Sequence, residues 1–152
     1  YQQVAQVAGR AGRGEKPGEV LIQTRHPEAP VIAALAAGDR DAFYDAETEA
    51  RRDAGAPPFG RWAAIIVSSE DMAEARDAAR AIGGTAPDLP DMLVLGPAPA
   101  PLSLLRGRHR FRLLINARRS AQLQKIVRAW LGPLDFPKGV RVHVDVDPYS
   151  FV

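Results

Sequence analysis

The second half of the chain switches between two hydrophobic periods. Residues 70–82 and 120–131 carry apolar side chains every three or four positions, which is the spacing of one helix face. Residues 140–146 alternate strictly, with valines on one face and Arg141, His143 and Asp145 on the other. Three further runs are rich in β-branched and leucine residues and are predicted to be strands, at 61–69, 92–95 and 109–116.

These elements follow one another in the order β-α-β-β-α-β. That order predicts an α+β fold of the ferredoxin-like type, in which both helices cover one face of a four-stranded antiparallel sheet. We expect the valines of the last strand to face the helices, with Arg141 and His143 on the opposite face.

The first third of the chain predicts helices and one short strand. Residues 1–13 are predicted as a helix, 14–18 as a turn, and 19–24 as a strand buried on both faces, because Val20, Leu21 and Ile22 are consecutive. Two more helices are expected, at 28–37 and from the cap Asp39 to about residue 54. The run Gly-Ala-Pro-Pro-Phe-Gly at 55–60 is a strong breaker and predicts a domain boundary.

The net charge of +2 conceals a marked asymmetry. Residues 92–134 contain eight Arg or Lys and no Asp or Glu, so the rest of the chain carries a net charge of −6. Such a block predicts a surface for an anionic ligand, with nucleic acid first and an acidic peptide second.

No apolar run approaches the roughly 18–20 residues of a membrane helix. The chain has no cysteine and three scattered histidines, so we expect no metal site within it.

Four arginines define the predicted DNA-binding residues. Arg106, Arg108, Arg110 and Arg112 occupy every second position, so on an extended hairpin arm they project from one face, away from the core. We interpret them as a row that follows phosphates, although basic side chains on an edge strand also protect against aggregation. A second group, which consists of the basic residues Arg118 and Arg119 and the neutral Gln122, is the predicted site for an acidic partner peptide.

Residues 6–13 have the sequence Gln-Val-Ala-Gly-Arg-Ala-Gly-Arg and resemble motif VI of superfamily 2 helicases, Gln-x-x-Gly-Arg-x-Gly-Arg, at every fixed position. The resemblance implies that Gln6, Arg10 and Arg13 are catalytic residues that act on the γ-phosphate of ATP. The sequence contains no Gly-x-x-x-x-Gly-Lys-Ser/Thr loop. We therefore expect a C-terminal piece of a longer motor protein, inactive as an enzyme when alone.

The whole chain resembles the C-terminal part of the PriA family, the primosomal replication-restart helicases of bacteria. The shared stretches are 6–13, Gly-Glu-Val-Leu-Ile-Gln-Thr at 18–24, Pro-Pro-Phe-Gly at 57–60, Gly-Pro-Ala-Pro-Ala-Pro at 96–101, Arg-His-Arg-Phe-Arg-Leu-Leu at 108–114 and Asp-Val-Asp-Pro at 145–148. The implied organisation is the end of helicase lobe 2 at 1–25, a helical connector at 26–58 and a C-terminal ferredoxin-like domain at 59–152.

The resemblance also implies a function. It is that of a cytoplasmic, ATP-dependent 3′–5′ DNA helicase that acts at stalled forks, with ATP and Mg²⁺ bound by the full-length protein and zinc by an upstream module. The implied partners are forked or single-stranded DNA, the acidic C-terminal tail of the single-strand binding protein and other primosome proteins, with no membrane. Two alternatives stay open: a free-standing nucleic-acid-binding βαββαβ module, similar in order to a small ribosomal subunit protein, and a scaffold domain whose arginines bind acidic protein.

Overall fold

The computed structural model describes residues 1–11 and 19–148, which form two compact units, Tyr1–Ala50 and Arg51–Val152. The helices are α1 (Gln2–Ala8), α2 (Pro30–Ala37), α3 (Arg40–Asp53), α4 (Met72–Gly84) and α5 (Leu123–Leu131). The strands are β1 (Gly60–Ser69), β2 (Met92–Leu105), β3 (Arg108–Arg118) and β4 (Arg141–Val146).

The four strands form one sheet in the order β2-β3-β1-β4, and every neighbouring pair is antiparallel. This order separates the two parallel strands of each β-α-β unit by one antiparallel strand, which is the split arrangement that the element order predicts. The predicted α+β class and the antiparallel four-stranded sheet are confirmed.

Both α4 and α5 pack on the same face of the sheet. Ile82 of α4 and Leu123 of α5 have no exposed surface, and they belong to one cluster with Ile65 of β1 and Leu113 of β3. The valines of β4 pack against this cluster while Arg141, His143 and Asp145 are exposed, so the predicted orientation of the last strand is correct. We call the sheet face away from α4 and α5 the outer face.

Local signals explain where the helices begin and end. The carboxylate of Asp71 accepts hydrogen bonds from the backbone N–H groups of Ala73 and Glu74, at 2.7 and 3.0 Å, and so caps α4. Pro30 stands at the start of α2, and Gly38 ends that helix in the left-handed region at φ 67°. Asp39 accepts a hydrogen bond from the N–H of Ala42 at 2.9 Å, as its predicted role as a cap requires.

Two predictions about local structure were wrong. Residues 19–24 form no strand, and Leu21 is 93% exposed, because no neighbouring strand among the described residues pairs with this segment. The helix predicted over 1–13 ends at Ala8 and passes into turns at Gly9, a poor helix former. The strand predicted at 92–95 continues through residues 96–101, which belong to the edge strand β2, where the missing N–H of proline is tolerated.

Candidate nucleic-acid interface

Alternation along the strands divides the outer face into a basic end and an apolar end. Side chains at even positions of β1 and β3 lie on this face, because Ile65, Val67, Leu113 and Ile115 at odd positions are buried in the core. The Cα pairing then assigns neighbours across the sheet. The rows at the basic end are Arg110–Ser68–Arg141 and Arg112–Ile66–His143.

The basic end therefore brings together residues that are distant in sequence. Arg110 and Arg141 lie on either side of β1, about 10 Å apart at two strand spacings, and Arg112 follows Arg110 by about 7 Å along β3. Arg110 and Arg112 are half-buried, and the Nη1 group of Arg110 lies 3.4 Å from the carbonyl oxygen of Leu102. This arrangement presents several guanidinium groups on one surface, a geometry suited to phosphate groups.

Arg108, the third strand member of the predicted row, makes bonds within the fold. Its Nη2 group donates to the carbonyl oxygens of Ser68 at 2.9 Å and Gly139 at 2.6 Å. Its Nη1 group lies 3.5 Å from Glu70, and only 16% of its side chain is exposed. Arg108 thus joins β1, β3 and the loop that precedes β4.

Arg106 lies in the two-residue turn between β2 and β3 and not on a strand. Its φ of 51° and the φ of 75° at Gly107 close this hairpin. Its exposed side chain stands at the tip of the hairpin, next to the exposed residues Leu104 and Leu105. The alternation argument thus applies to the three arginines on β3, whereas the turn sets the direction of the fourth.

The apolar end of the outer face holds a cavity of about 200 Å³. It is lined by Trp62, Leu95, Leu114, Ile115 and Asn116. The Nδ2 group of Asn116 donates to the carbonyl oxygen of Ala54 at 3.0 Å, which fixes its amide at the rim. Leu93 and Leu95 on the neighbouring strand are 55% and 51% exposed.

The predicted partner-binding residues lie together between β3 and α5. Arg118 ends β3 and pairs with Asp91 at 3.2 Å, with both side chains largely exposed. Arg119 is exposed in the following turn, and Gln122 is the exposed residue immediately before α5.

The helicase-like motif is described only in part. Gln6 lies on α1 and lines a cavity of about 410 Å³ with Tyr1, Gln2, Ala5, Arg40 and Tyr44. Arg10 lies in the turn that follows α1 and is exposed. Arg13 lies outside the described residues, so the joint catalytic role of Gln6, Arg10 and Arg13 stays a prediction.

Arg61 and Asp147 form an ion pair at the end of the sheet away from the basic residues. The guanidinium of Arg61 donates from Nε and Nη2 to the carboxylate, at 3.2 and 2.5 Å, and from Nη1 to the carbonyl oxygen of Ala121 at 3.0 Å. The hydrogen bond that Arg61 donates to Asp147 raises the pKa of Arg61 above its ordinary value. This ion pair fixes the end of β4 relative to β1 and to the segment before α5.

The compact unit that contains the sheet, Arg51–Val152, corresponds to the region that a known family profile matches. The profile of the Primosomal protein N C-terminal domain family matches residues 52–149. The chain belongs to this family. The resemblance to the PriA family that the sequence predicted is thereby confirmed.

Curated relatives of this family member are named replication restart protein PriA. The chain is 37% identical to the protein of Rickettsia conorii over 151 residues, which cover 99% of the chain and 23% of the relative. It is 34% identical to the Bacillus subtilis protein over 158 residues (100% and 20%) and 36% identical to the Haemophilus influenzae protein over 146 residues (94% and 20%). The chain therefore spans about a fifth of the length of these relatives.

Sequence reasoning missed the apolar end of the outer face. The signal was present, because the buried positions Ala63, Ile65 and Val67 place Trp62 on the opposite side of β1. Leu93 and Leu95 alternate in the same way on β2.

None of the described helices is both long enough and apolar enough to cross a membrane.

Proposed function

We propose that the chain is the C-terminal part of an ATP-dependent 3′–5′ DNA helicase that restarts replication at stalled forks, and that its sheet domain binds the phosphates of forked DNA. The observation that carries the second half of this proposal is the basic end of the outer face, where Arg110, Arg112 and Arg141 converge from two strands. The first half is supported by the relatives, which are named replication restart proteins.

Phosphate binding fits the chemistry of this surface. Guanidinium groups stay charged at all physiological pH values and donate paired hydrogen bonds to phosphate oxygens. Contacts of this kind give affinity with little sequence preference and weaken steeply with salt, which suits a protein that must act at any fork. Arg106 at the hairpin tip extends the surface, whereas Arg108 mainly holds the strands that carry it.

The basic end predicts salt-sensitive binding to DNA, which a direct titration measures. The chain is titrated into fluorescently labelled forked DNA at several salt concentrations, and anisotropy is recorded. The expected result is binding whose affinity falls by about 0.9 logarithmic units, per phosphate contacted, for each tenfold increase in salt. Absence of binding at low salt contradicts the proposal.

A second candidate is that this domain recruits partners through Arg119 and Gln122. These side chains are exposed beside α5, and the block from 92 to 134 carries no acidic residue. The acidic tail of the single-strand binding protein is the partner proposed, and other primosome proteins are further candidates. A labelled tail peptide is titrated in parallel with the fork. Binding of the peptide alone makes the domain a recruitment module and leaves DNA contact to other parts of the protein.

The helicase activity is proposed for the full-length cytoplasmic protein, with ATP and Mg²⁺ held largely by motifs absent from this sequence and zinc held by an upstream module. This chain contributes Gln6, Arg10 and Arg13. In the full-length protein, we expect Arg13→Ala to lower ATP turnover by about 10³-fold or more while DNA binding persists. Arg25→Ala, an exposed arginine outside the motif, is the matched control. Normal turnover in Arg13→Ala contradicts the arginine-finger role.

A further inference from the structure

The cavity at the apolar end of the outer face has the size of an aromatic ring. Its volume of about 200 Å³ exceeds the roughly 150 Å³ of an engineered protein cavity that binds benzene. Trp62, Leu95 and Leu114 give it apolar walls, and the half-buried indole of Trp62 supplies a flat surface. A planar heteroaromatic group therefore fits both its dimensions and its lining.

The neighbouring side chains indicate which heteroaromatic group. Arg112 lies two residues from Leu114 on the same face of β3, about 7 Å along the strand. Arg110 continues the basic end beyond Arg112. The cavity is thus adjacent to a phosphate-binding surface, and the side-chain amide of Asn116 stands at its rim as a donor and acceptor. A planar ring joined to a phosphate is a nucleotide.

We propose that the cavity receives one unpaired base of single-stranded DNA, which stacks on Trp62 while its phosphate lies toward Arg112. A base within a duplex is stacked and paired, so only an unpaired strand can enter. This inference rests on the proposed function and refines it. The sheet domain holds the strand at a fork by one base as well as by phosphates, and so prefers unpaired DNA.

The first measurement compares two single-stranded oligonucleotides with the same number of phosphates, one with bases and one fully abasic. Binding of the chain to both is measured by competition against the labelled fork. The expected result is tighter binding of the oligonucleotide with bases by about 5- to 150-fold, the range for one base stacked on an aromatic side chain. In addition, 2-aminopurine placed in the oligonucleotide should lose fluorescence on binding. Equal affinity for both oligonucleotides, with unchanged fluorescence, overturns the base site but leaves the proposed phosphate binding intact.

Variants locate the base. Leu95→Ser opens one wall of the cavity without changing charge, and Leu104→Ser alters an equally exposed leucine of the same strand that lies outside the cavity lining. We expect Leu95→Ser to reduce the preference for bases and Leu104→Ser to retain it. Trp62→Leu, checked for folding by circular dichroism, should abolish the quenching.

Two outcomes of the variant experiment contradict the proposal in different ways. If Leu95→Ser and folded Trp62→Leu keep the full preference, the base is bound elsewhere and the site is wrong. If no DNA binds at low salt, the proposed function fails as well as the base site. Where Trp62→Leu does not fold, the comparison of Leu95→Ser with Leu104→Ser decides.

Discussion

The guanidinium of Arg108 donates a hydrogen bond of 2.6 Å to the carbonyl oxygen of Gly139. The same group reaches the carbonyl oxygen of Ser68, so one side chain joins the start of β3 to the end of β1 and to the loop before β4. Arg108 therefore differs from Arg110, with which it shares a face and a strand.

We expect Arg108→Ala to lower the free energy of unfolding by about 1.5–3 kcal/mol, because two backbone carbonyls lose a charged donor. Arg110→Ala is the matched control, and its unfolding free energy should change by less than about 0.5 kcal/mol. Urea titration of both variants measures the difference. Equal stability of the two variants contradicts the assignment of Arg108 as a structural residue.

Charge reversal tests the proposed phosphate-binding residues. The double variant Arg110→Glu/Arg112→Glu should weaken fork binding and reduce the slope of log affinity against log salt by about 0.9 for each phosphate that is no longer bound. Arg80→Glu, on the exposed side of α4 in the opposite layer, should leave the slope unchanged. If both variants give the wild-type slope, the basic end is a solvated surface.

The backbone conformation at position 96 requires glycine. Its φ is +104°, and an added Cβ would lie 2.7 Å from the carbonyl oxygen of Arg112 on the neighbouring strand. We expect Gly96→Ala to destabilise the domain by about 1–3 kcal/mol or more, because the backbone cannot move aside without breaking the β2–β3 pairing. Gly107→Asn is the control, since Gly107 has open space around it and Asn tolerates a positive φ. Thermal unfolding of the two variants gives the comparison.

The ion pair between Arg61 and Asp147 should stabilise the sheet. Arg61→Ala removes donors from the carboxylate and from the carbonyl oxygen of Ala121, with an expected loss of about 1.5–3 kcal/mol in chemical denaturation. The raised pKa of Arg61 means that its own contribution is complete below the unfolded pKa and is lost only as the pH rises through the higher folded value. Raising the pH from 7 to 9 should therefore leave the difference between wild type and Arg61→Ala unchanged. If the stability difference between wild type and Arg61→Ala shrinks between pH 7 and 9, the stabilising role assigned to the Arg61 ion pair is contradicted.

The exposed pair of Arg76 and Asp77 contributes to stability with the opposite pH dependence. The hydrogen bond from Arg76 lowers the pKa of Asp77, so its contribution is present above the unfolded pKa and disappears as the pH falls through the lower folded value. Because both side chains are well exposed, Asp77→Asn should leave the melting temperature at neutral pH unchanged. A clear decrease in melting temperature indicates an interaction stronger than an exposed pair provides.

The sheet domain could be predicted from the sequence because its patterns are local and strong. The alternation of β4 and the helical spacing of α5 each determine one buried face, and the structure buries those faces. The strand prediction at 19–24 was wrong because it lacked such information. Three consecutive apolar residues indicate a buried strand, but a strand also needs a partner, and the pattern carries no information about one.

The site was predictable only where residues are close in sequence. The row on β3 follows from alternation, yet the approach of Arg141 to Arg110 depends on the strand order. The bonds of Arg108 to Ser68 and Gly139 likewise depend on tertiary contacts. The apolar cavity requires Trp62 and Leu95 from strands on either side of β3, so no local motif contains it.

The two edges of the sheet differ in a way that bears on self-association. Prolines and two irregularities in register interrupt β2, whereas β4 is a regular strand without proline. Added strands pair poorly with an edge interrupted in this way. Growth into a filament requires each molecule to accept a neighbour at both edges, whereas pairing through a single edge closes after two molecules. Edge-to-edge pairing of the folded protein should therefore stop at dimers formed through β4 and should not extend into β-fibrils.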